Sequence, residues 1–455
     1  MVQQERIQRL NDNRQHDGDY VLFWMQASQR AEWNHALEYA VEEANQRKRP
    51  LIVLFGITSK YPEANLRHYA FMLEGLRETA SALRKRGIQL VVRHESPEQA
   101  ATTMASRAAV VVVDRGYTRI QRRWRKHVAL RAPCSVIQVE SDVVVPVEVV
   151  SGKEEYSAAT IRPKLRRWLD KFLKPVPVVP LKHDSLSLKI DSIDISDVDL
   201  ALAKIDPDSS VPRQRHYIGG TSEAKQRLRA FIEEKLDSYA DGRSDPGLAI
   251  ESHLSPYLHF GQISPLYVAL KVLNARGKNP DAKDAFLEQL ITRRELSMNF
   301  VYYCPYYDSY HSLPRWAQAT LSKHSSDHRQ YLYRMQTLES ANTHDRYWNA
   351  AMLEMVITGQ MHNYMRMYWG KKILEWSPTP GQGFKVALTL NNKWFLDGRD
   401  PNSYAGVAWC FGKHDRPWSE RSIFGTVRYM SASGLERKFD MDAYVSRING
   451  MVKGI

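Results

Sequence analysis

The chain has 455 residues, too many for one ordinary core, so two or three domains are expected. Its apolar share of 43% and charged share of 25% fit a soluble globular protein, and no apolar run is long enough for a transmembrane helix or a signal-peptide core. Cys134, Cys304 and Cys410 are the only cysteines and lie far apart, which argues against a disulfide framework or cysteine metal site and fits a reducing, cytoplasmic setting. A net charge of +13 points instead to a polyanionic partner, most simply nucleic acid.

In chain order, the apolar runs Tyr20–Met25, Pro50–Ile57, Gln89–Arg93, Ala109–Asp114 and Ser135–Val139 read as strands. They are continuous rather than alternating, the pattern of strands covered on both faces. Helical periodicity occupies Gln29–Gln46 and Leu66–Lys85, the second closed by Gly87. Residues 1–145 are therefore predicted to form a doubly wound α/β domain on a parallel sheet. No G-x-G-x-x-G follows the first strand, so the usual dinucleotide fingerprint is missing.

Residues 146–215 are rich in Pro, Ser and Asp and read as an interdomain linker with one helix near Pro163–Leu173. From 216 to 455 the pattern is helical. Ala224–Tyr239, Ser264–Ala275, Ala282–Phe300, His344–Thr358, Gln360–Trp376 and Thr379–Leu390 all fit amphipathic helices. This predicts an all-α domain large enough to enclose a cofactor.

Four segments of that half carry chemistry. Asp237–Ser264 joins Arg243, Ser252 and Ser255 to a helix start at Ser255-Pro256, a combination that suits an anion. Phe286–Phe300 sets Gln289, Arg293 and Leu296 on roughly one helical face. Thr343–Trp376 holds Trp348, Trp369 and Trp376, with Arg366 and Met367 beside them; an arginine there needs an acid or a phosphate-like partner. Leu390–Trp418 holds the charged turn Asp397–Asn402, then Trp409 and Trp418 around Arg416, an arrangement that suits stacking on an exposed base. Taken singly, each also reads as ordinary structure: a capped helix, a solvated face, an aromatic core or a structural turn. His344, His362 and His414 lack metal-ligand spacing, so no metal is expected.

Together these segments resemble the photolyase/cryptochrome flavoproteins. The wording is most similar to class II cyclobutane pyrimidine dimer photolyases: LSPYLHFGQIS, THDRYWNA, GQMHNYMRMYWGKKILEW, LDGRDPNSYAGVAW, HDRPW and VRYMS. The resemblance spans nearly the whole chain. It implies a U-shaped FAD in the helical domain. Tyr239, Arg243, Ser252, Leu254, Ser255 and Gln262 would hold its phosphates and ribityl chain. Arg366 and Asp397 would bracket the ring as an ion pair, Asn391 would face N5, and Asp400 and Asn402 would support the ring and adenine. Trp369, Trp348 and Trp376, in that order outward, would relay electrons, with Tyr333 extending the route. Met367 and Trp409 would touch a flipped-out dimer in double-stranded DNA. Trp418 and Arg416, beside Asp415, would fill the gap left in the duplex. Trp394 is assigned to the core.

The implied reaction is light-driven: excited reduced FAD gives an electron to the dimer, the cyclobutane ring splits, and the electron returns. Two positions depart from the pattern. Gln289 stands where the family has a glutamate that hydrogen-bonds the dimer. An amide can also donate, so binding and repair are expected to survive with lower yield. Ser244 stands where some relatives have Asn. The alternative is a cryptochrome-like light-sensing flavoprotein without repair activity, which shares fold, FAD and relay. Met367, Trp409, Arg416 and Trp418 favour repair, and Gln289 mildly favours the alternative. An antenna chromophore of unspecified kind is expected in the α/β domain, and the protein is expected to work as a monomer.

Overall fold

The computed structural model describes residues 1–13 and 16–453. The apolar runs build a six-stranded sheet: β1 (Ile7–Arg9), β2 (Tyr20–Trp24), β3 (Leu51–Ile57), β4 (Gln89–His94), β5 (Ala108–Asp114) and β6 (Ser135–Val139). Its order is β1-β6-β5-β2-β3-β4, parallel throughout except for the edge pair β1–β6. The short polar β1 escapes the sequence reading because it has no apolar run.

Both faces of the sheet are covered. Alternate residues of β2 point to opposite cores. Val21 and Phe23 pack under α1 (His35–Arg47) and α2 (Leu66–Arg84), whereas Leu22 and Trp24 pack under α3 (Pro97–Ala105) and α4 (Arg119–Arg131). The strand order reverses between β2 and β5, where α/β folds bind ligands. Here Asp114 closes the crevice by accepting from the backbone N–H groups of Gln26, Ala27 and Ser28, the last at 2.7 Å. The backbone N–H groups after β2 are thus spent on a carboxylate of the protein itself.

The region 146–215 is not the simple linker the sequence suggests. It contains α5 (Val147–Val150), α6 (Ala158–Phe172) and α7 (Val198–Ile205). Helix α6 begins before Pro163, with Ser157 and Thr160 forming a capping box. Val198, Ala201, Leu202 and Ile205 of α7 join the core under α2. The apolar spacing of both helices is hidden among prolines and acids.

The remaining helices are α8 (Thr221–Ala230), α9 (Tyr239–Gly242), α10 (Ser255–His259), α11 (Pro265–Leu273), α12 (Pro280–Leu287), α13 (Arg294–Tyr303), α14 (Arg315–Lys323), α15 (Met335–Glu339), α16 (Arg346–Thr358), α17 (Asn363–Glu375), α18 (Pro380–Trp394), α19 (Pro401–Cys410), α20 (Ala432–Glu436) and α21 (Met441–Lys453). Asp345, His362, Thr379 and Asp400 cap α16 to α19 through their side chains. Between α12 and α13, residues Glu288–Arg293 form a π-helical segment. That widening separates the face expected at regular helical spacing: Arg293 is exposed while Leu296 is buried.

Sheet and helical regions are stitched by buried cations. Arg67 donates to the carbonyls of Met355, Val356 and Trp394, and Arg30 donates to Gly261 O and pairs with Asp142 at 2.7 Å. No helix among the described residues is long and apolar enough to cross a membrane.

Candidate active site

Helix α17 organises the site, because its successive residues face three surroundings. Arg366 forms a half-buried ion pair with Asp397, 3.1 Å from Nη1 to Oδ1. Its Nη2 donates to Asn391 Oδ1 at 2.7 Å and to Ser403 Oγ at 2.9 Å. Asn391 is fully buried and spends its amide N–H groups on Asn392 and Ser403. Ser403 is a member that sequence reasoning missed. Its signal was its place three residues after the capping Asp400, on the first turn of α19.

Trp369, one turn beyond Arg366, is buried. Phe395 bridges the two: the Arg366 guanidinium lies 3.8 Å from the Phe395 centroid, which lies 6.5 Å from the Trp369 ring. From Trp369 an aromatic file runs outward. Trp348 stacks on it at 6.4 Å and 9°, and donates its indole N–H to Trp369 O at 3.0 Å. Trp376 meets Trp348 at 5.5 Å, and Tyr333 meets Trp376 at 5.3 Å. The file ends where Tyr333 Oη bonds His344 Nδ1 at 2.7 Å and Tyr331 stacks on the His344 ring at 3.6 Å. Trp348, Trp369 and Trp376 are no more than 2% exposed, while Tyr331 is 37% exposed, so the file joins the interior to solvent.

The opposite face of α17 carries Met367 and Lys371. The Lys371 ammonium is fully buried, makes no hydrogen bond within the described residues, and sits 4.9 Å from the Trp409 centroid. Burial lowers its pKa to about 8. From there cations and indoles alternate. Arg428 lies 5.8 Å from Trp409 and 4.8 Å from Trp418, and Arg416 lies 5.4 Å from Trp418. Arg428 too was missed, although it stands inside the VRYMS segment. Asp415 is partly buried, with Oδ1 on the Arg416 N–H. Gln289 is partly buried in the π-helical segment, where such irregularities often mark function.

The third group surrounds α9 and α10. Tyr239 packs on Phe231 and Phe286, and Arg243 follows α9, partly buried. Ser252 and Ser244 are also partly buried, Leu254 is buried, and Ser255 is exposed with its Oγ accepting from Gln360 at 3.2 Å. Asp400 is held below the usual carboxylate range: burial opposes ionisation, but His259 and the Asn402 N–H stabilise the anion. Asn402 contributes that backbone group, while its side chain faces solvent. Gln262 stands apart. Its amide accepts from Gly220 N and donates to Phe71 O, so it ties α2 to the helical region. Trp394 is partly buried and packs against the helical core from its edge. It donates to Glu339 at 2.9 Å and lies beside Arg67 at the seam with the sheet.

These groups fit a flavin dinucleotide. The buried Trp369 Nε1 and Glu251 Oε2 have no hydrogen-bond partner within the described residues, and His362 Nε2 meets only the Glu251 carboxylate, at 3.5 Å. Such orphaned atoms are costly inside a protein unless a ligand meets them. A separate cavity lies at the C-terminal ends of β2 and β3. Met25, Phe55, Tyr61, Trp124, His259 and Arg399 are among the side chains lining it.

Comparison with known proteins agrees with this architecture. Residues 21–181 match the family model described as DNA photolyase. Over 99% of its length the chain is 53% identical to the deoxyribodipyrimidine photo-lyase of Methanothermobacter thermautotrophicus, covering all of that protein. Over 95% of its length it is 37% identical to that of Arabidopsis thaliana, covering 89% of it. In fold it is similar to a bacterial class III photolyase from Agrobacterium tumefaciens, with TM-score 0.73 and 18% identity over 95% of this chain and 87% of that one. It is equally similar to a Synechocystis cryptochrome, with TM-score 0.74 and 15% identity over 95% of this chain and 89% of that one. The chain belongs to the photolyase/cryptochrome family.

Proposed function

We propose that the protein is a light-driven DNA repair enzyme, a deoxyribodipyrimidine photo-lyase that splits cyclobutane pyrimidine dimers, and that it belongs to the class II branch. One observation carries this reading. Helix α17 presents an ion-paired ring-binding cluster, a buried aromatic file and a cation-rich aromatic face on adjoining sides. A sensory protein needs the first two alone. The full-length match to photo-lyases at 53% identity supports the same choice over a cryptochrome-like role.

FAD would be held by Arg366, Asn391 and Asp397 at the ring, by Tyr239, Arg243, Ser252, Leu254 and Ser255 along the chain, and by Asp400 beside them. When bound and reduced, it supplies the electron for ring splitting and recovers it, so the reaction needs no net redox change. The protein's own residues do the rest. Arg366 keeps a positive charge at the cofactor edge, fixed by Asp397 and Ser403. Trp369, Trp348 and Trp376 pass electrons inward from Tyr333 and solvent to maintain the reduced state. Trp409 and Met367 bind the flipped dimer, Gln289 donates a neutral hydrogen bond to it, and Trp418 with Arg416 and Arg428 occupies the gap. Flipping costs a few kcal/mol of stacking, less at a damaged step. The cavity beside β2 and β3 supports an antenna chromophore, and a monomer is sufficient for all of these roles.

The test is direct. Purified, reduced protein is incubated with a thymine-dimer oligonucleotide under blue or near-UV light. Loss of dimer in light and not in darkness is expected; no light-dependent loss sinks the repair reading.

A further inference from the structure

The segment taken from sequence as a linker forms a wall of the lesion face. Its residues are pinned at two points to the segments expected to flank the dimer. Tyr156 Oη donates to Asp415 O at 3.2 Å and accepts from Trp316 Nε1, and its carbonyl meets His414 Nδ1 at 2.8 Å. Farther along, Arg162 grips Glu288 with two bonds of 3.0 and 2.7 Å, directly before Gln289. Helix α6 thus runs beside the lesion pocket, from Arg416 on one side to the π-helical segment on the other.

Next to it lies an open cleft of about 470 Å³. Ser151, Gly152, Lys153, Lys164, Arg167 and Trp168 line it, together with Glu148. The acids of this neighbourhood are already engaged. Glu148 is bound by Arg115 at 2.8 Å and by Tyr302 at 3.0 Å, Glu155 by Lys164, and Glu154 by Lys413. Lys153, Arg166 and Arg167 are exposed and have no carboxylate partner among the described residues. A concave surface with free cations, a glycine and an indole complements a polyanion whose bases can stack.

We propose that this cleft is a second nucleic-acid contact, holding the phosphate backbone of the DNA strand outside the lesion. The proposal rests on the repair reading, since it needs a duplex docked on Trp409 and Trp418. Lys153 and Arg167 neutralise phosphates, and Trp168 limits how far the strand can slide. The contact is blind to sequence and damage, so it raises affinity for all duplexes without changing the preference for a dimer.

The test uses the full-length protein and a double variant, Lys153→Ala with Arg167→Ala. Affinity for dimer-containing and undamaged duplexes is measured across a salt series. The salt slope should become shallower by about 2 units, as expected for two lost phosphate contacts. The ratio between the two duplexes should stay constant, and the melting temperature of the protein should not move. Neutral methylphosphonates placed singly along the strand should weaken the parent at one or two positions and leave the variant indifferent there. An unchanged slope, or equal sensitivity of parent and variant at every position, overturns the proposal. If both proteins bind damaged and undamaged DNA alike, the repair reading fails instead, while the slope still reports on the cleft. The conservative variant Arg167→Lys should keep the parent slope.

Discussion

Two sets of tryptophans face opposite ways from one helix, and their surroundings differ in kind. Trp369, Trp348 and Trp376 make successive ring contacts and are buried, with a single cation, Lys372, 5.7 Å from the outermost ring, Trp376. Trp409 and Trp418 touch cations: Lys371, Arg428 and Arg416. The first arrangement suits charge moving between rings, because near-parallel or edge contacts at 5.5 to 6.4 Å set buried rings directly beside one another. The second suits an anionic, stackable ligand, because each ring carries a cation on its flank. Residue type alone says nothing of this; the neighbours decide.

The comparison breaks most sharply at Trp348, which touches both other members of the file. Trp348→Phe should abolish light-driven flavin reduction, followed by absorbance under blue light, at a packing cost of about 1–3 kcal/mol seen in thermal unfolding. Dimer binding should be untouched. Reduction as fast as the parent would remove the file from the mechanism.

Next in size is Arg366→Ala. It leaves Asp397 without its partner in a half-buried site, and breaking such a pair costs about 3–5 kcal/mol when fully buried. Because Arg366 retains some exposure, the low end of that range is expected, together with loss of bound flavin. Full flavin content after gel filtration would contradict the assignment.

Acid should weaken both regions. Burial holds His362, the cap of α17, and His414, bound to the Tyr156 carbonyl, down to about 4 each. Their ordinary value is about 6.5, so folding favours the neutral ring. The stability this supplies is present above pH 6.5 and is lost as pH falls through about 4. A melting temperature that declines over that window, and declines less in His414→Gln, is the expected profile. Asp114 and Glu295, raised to about 7 and about 8 chiefly by burial, act with the opposite sign: their contribution is present below pH 4 and is lost as pH rises through those values.

Trp418→Ala sharpens the contrast from the other side. The ring is 42% exposed, and losing one stacking platform costs about 1–3 kcal/mol of DNA binding. A weakening of roughly tenfold in titration is expected, with flavin reduction at the parent rate. Slowed reduction would mean the two sets are not separate. The smallest effect belongs to Tyr333→Phe, which should shorten the lifetime of the oxidised tryptophan file, read by transient absorption, without preventing its formation.

Much of the fold is legible in the chain. Continuous Val/Ile/Leu runs predict β2 to β6, and amphipathic spacing predicts α16, α17 and α18 to within a few residues. The region 146–215 is legible only in part, because prolines and acids mask the four apolar positions that seat α7. In the site, the resemblance groups Arg366, Asn391 and Asp397, and the structure gives each a partner in that group. Gln262 and Trp394 were assigned by motif and composition, yet both serve the seam between sheet and helices. Ser403, Lys371 and Arg428 stand inside the quoted motifs, but their roles come only from what they face.

What the sequence determines by itself is what repeats along it: strand and helix periods, caps such as Asp345 and Asp400, the basic charge, and the motif wording that identifies the family. What only the tertiary structure decides is adjacency. A π-helical widening separates Leu296 from Arg293, and α6 is tied to that segment through Arg162 and Glu288. Arg428 lands between two indoles nine residues apart in the chain. Contacts across long sequence separations are set by how buried surfaces pack, and packing depends on all the elements at once rather than on any one segment.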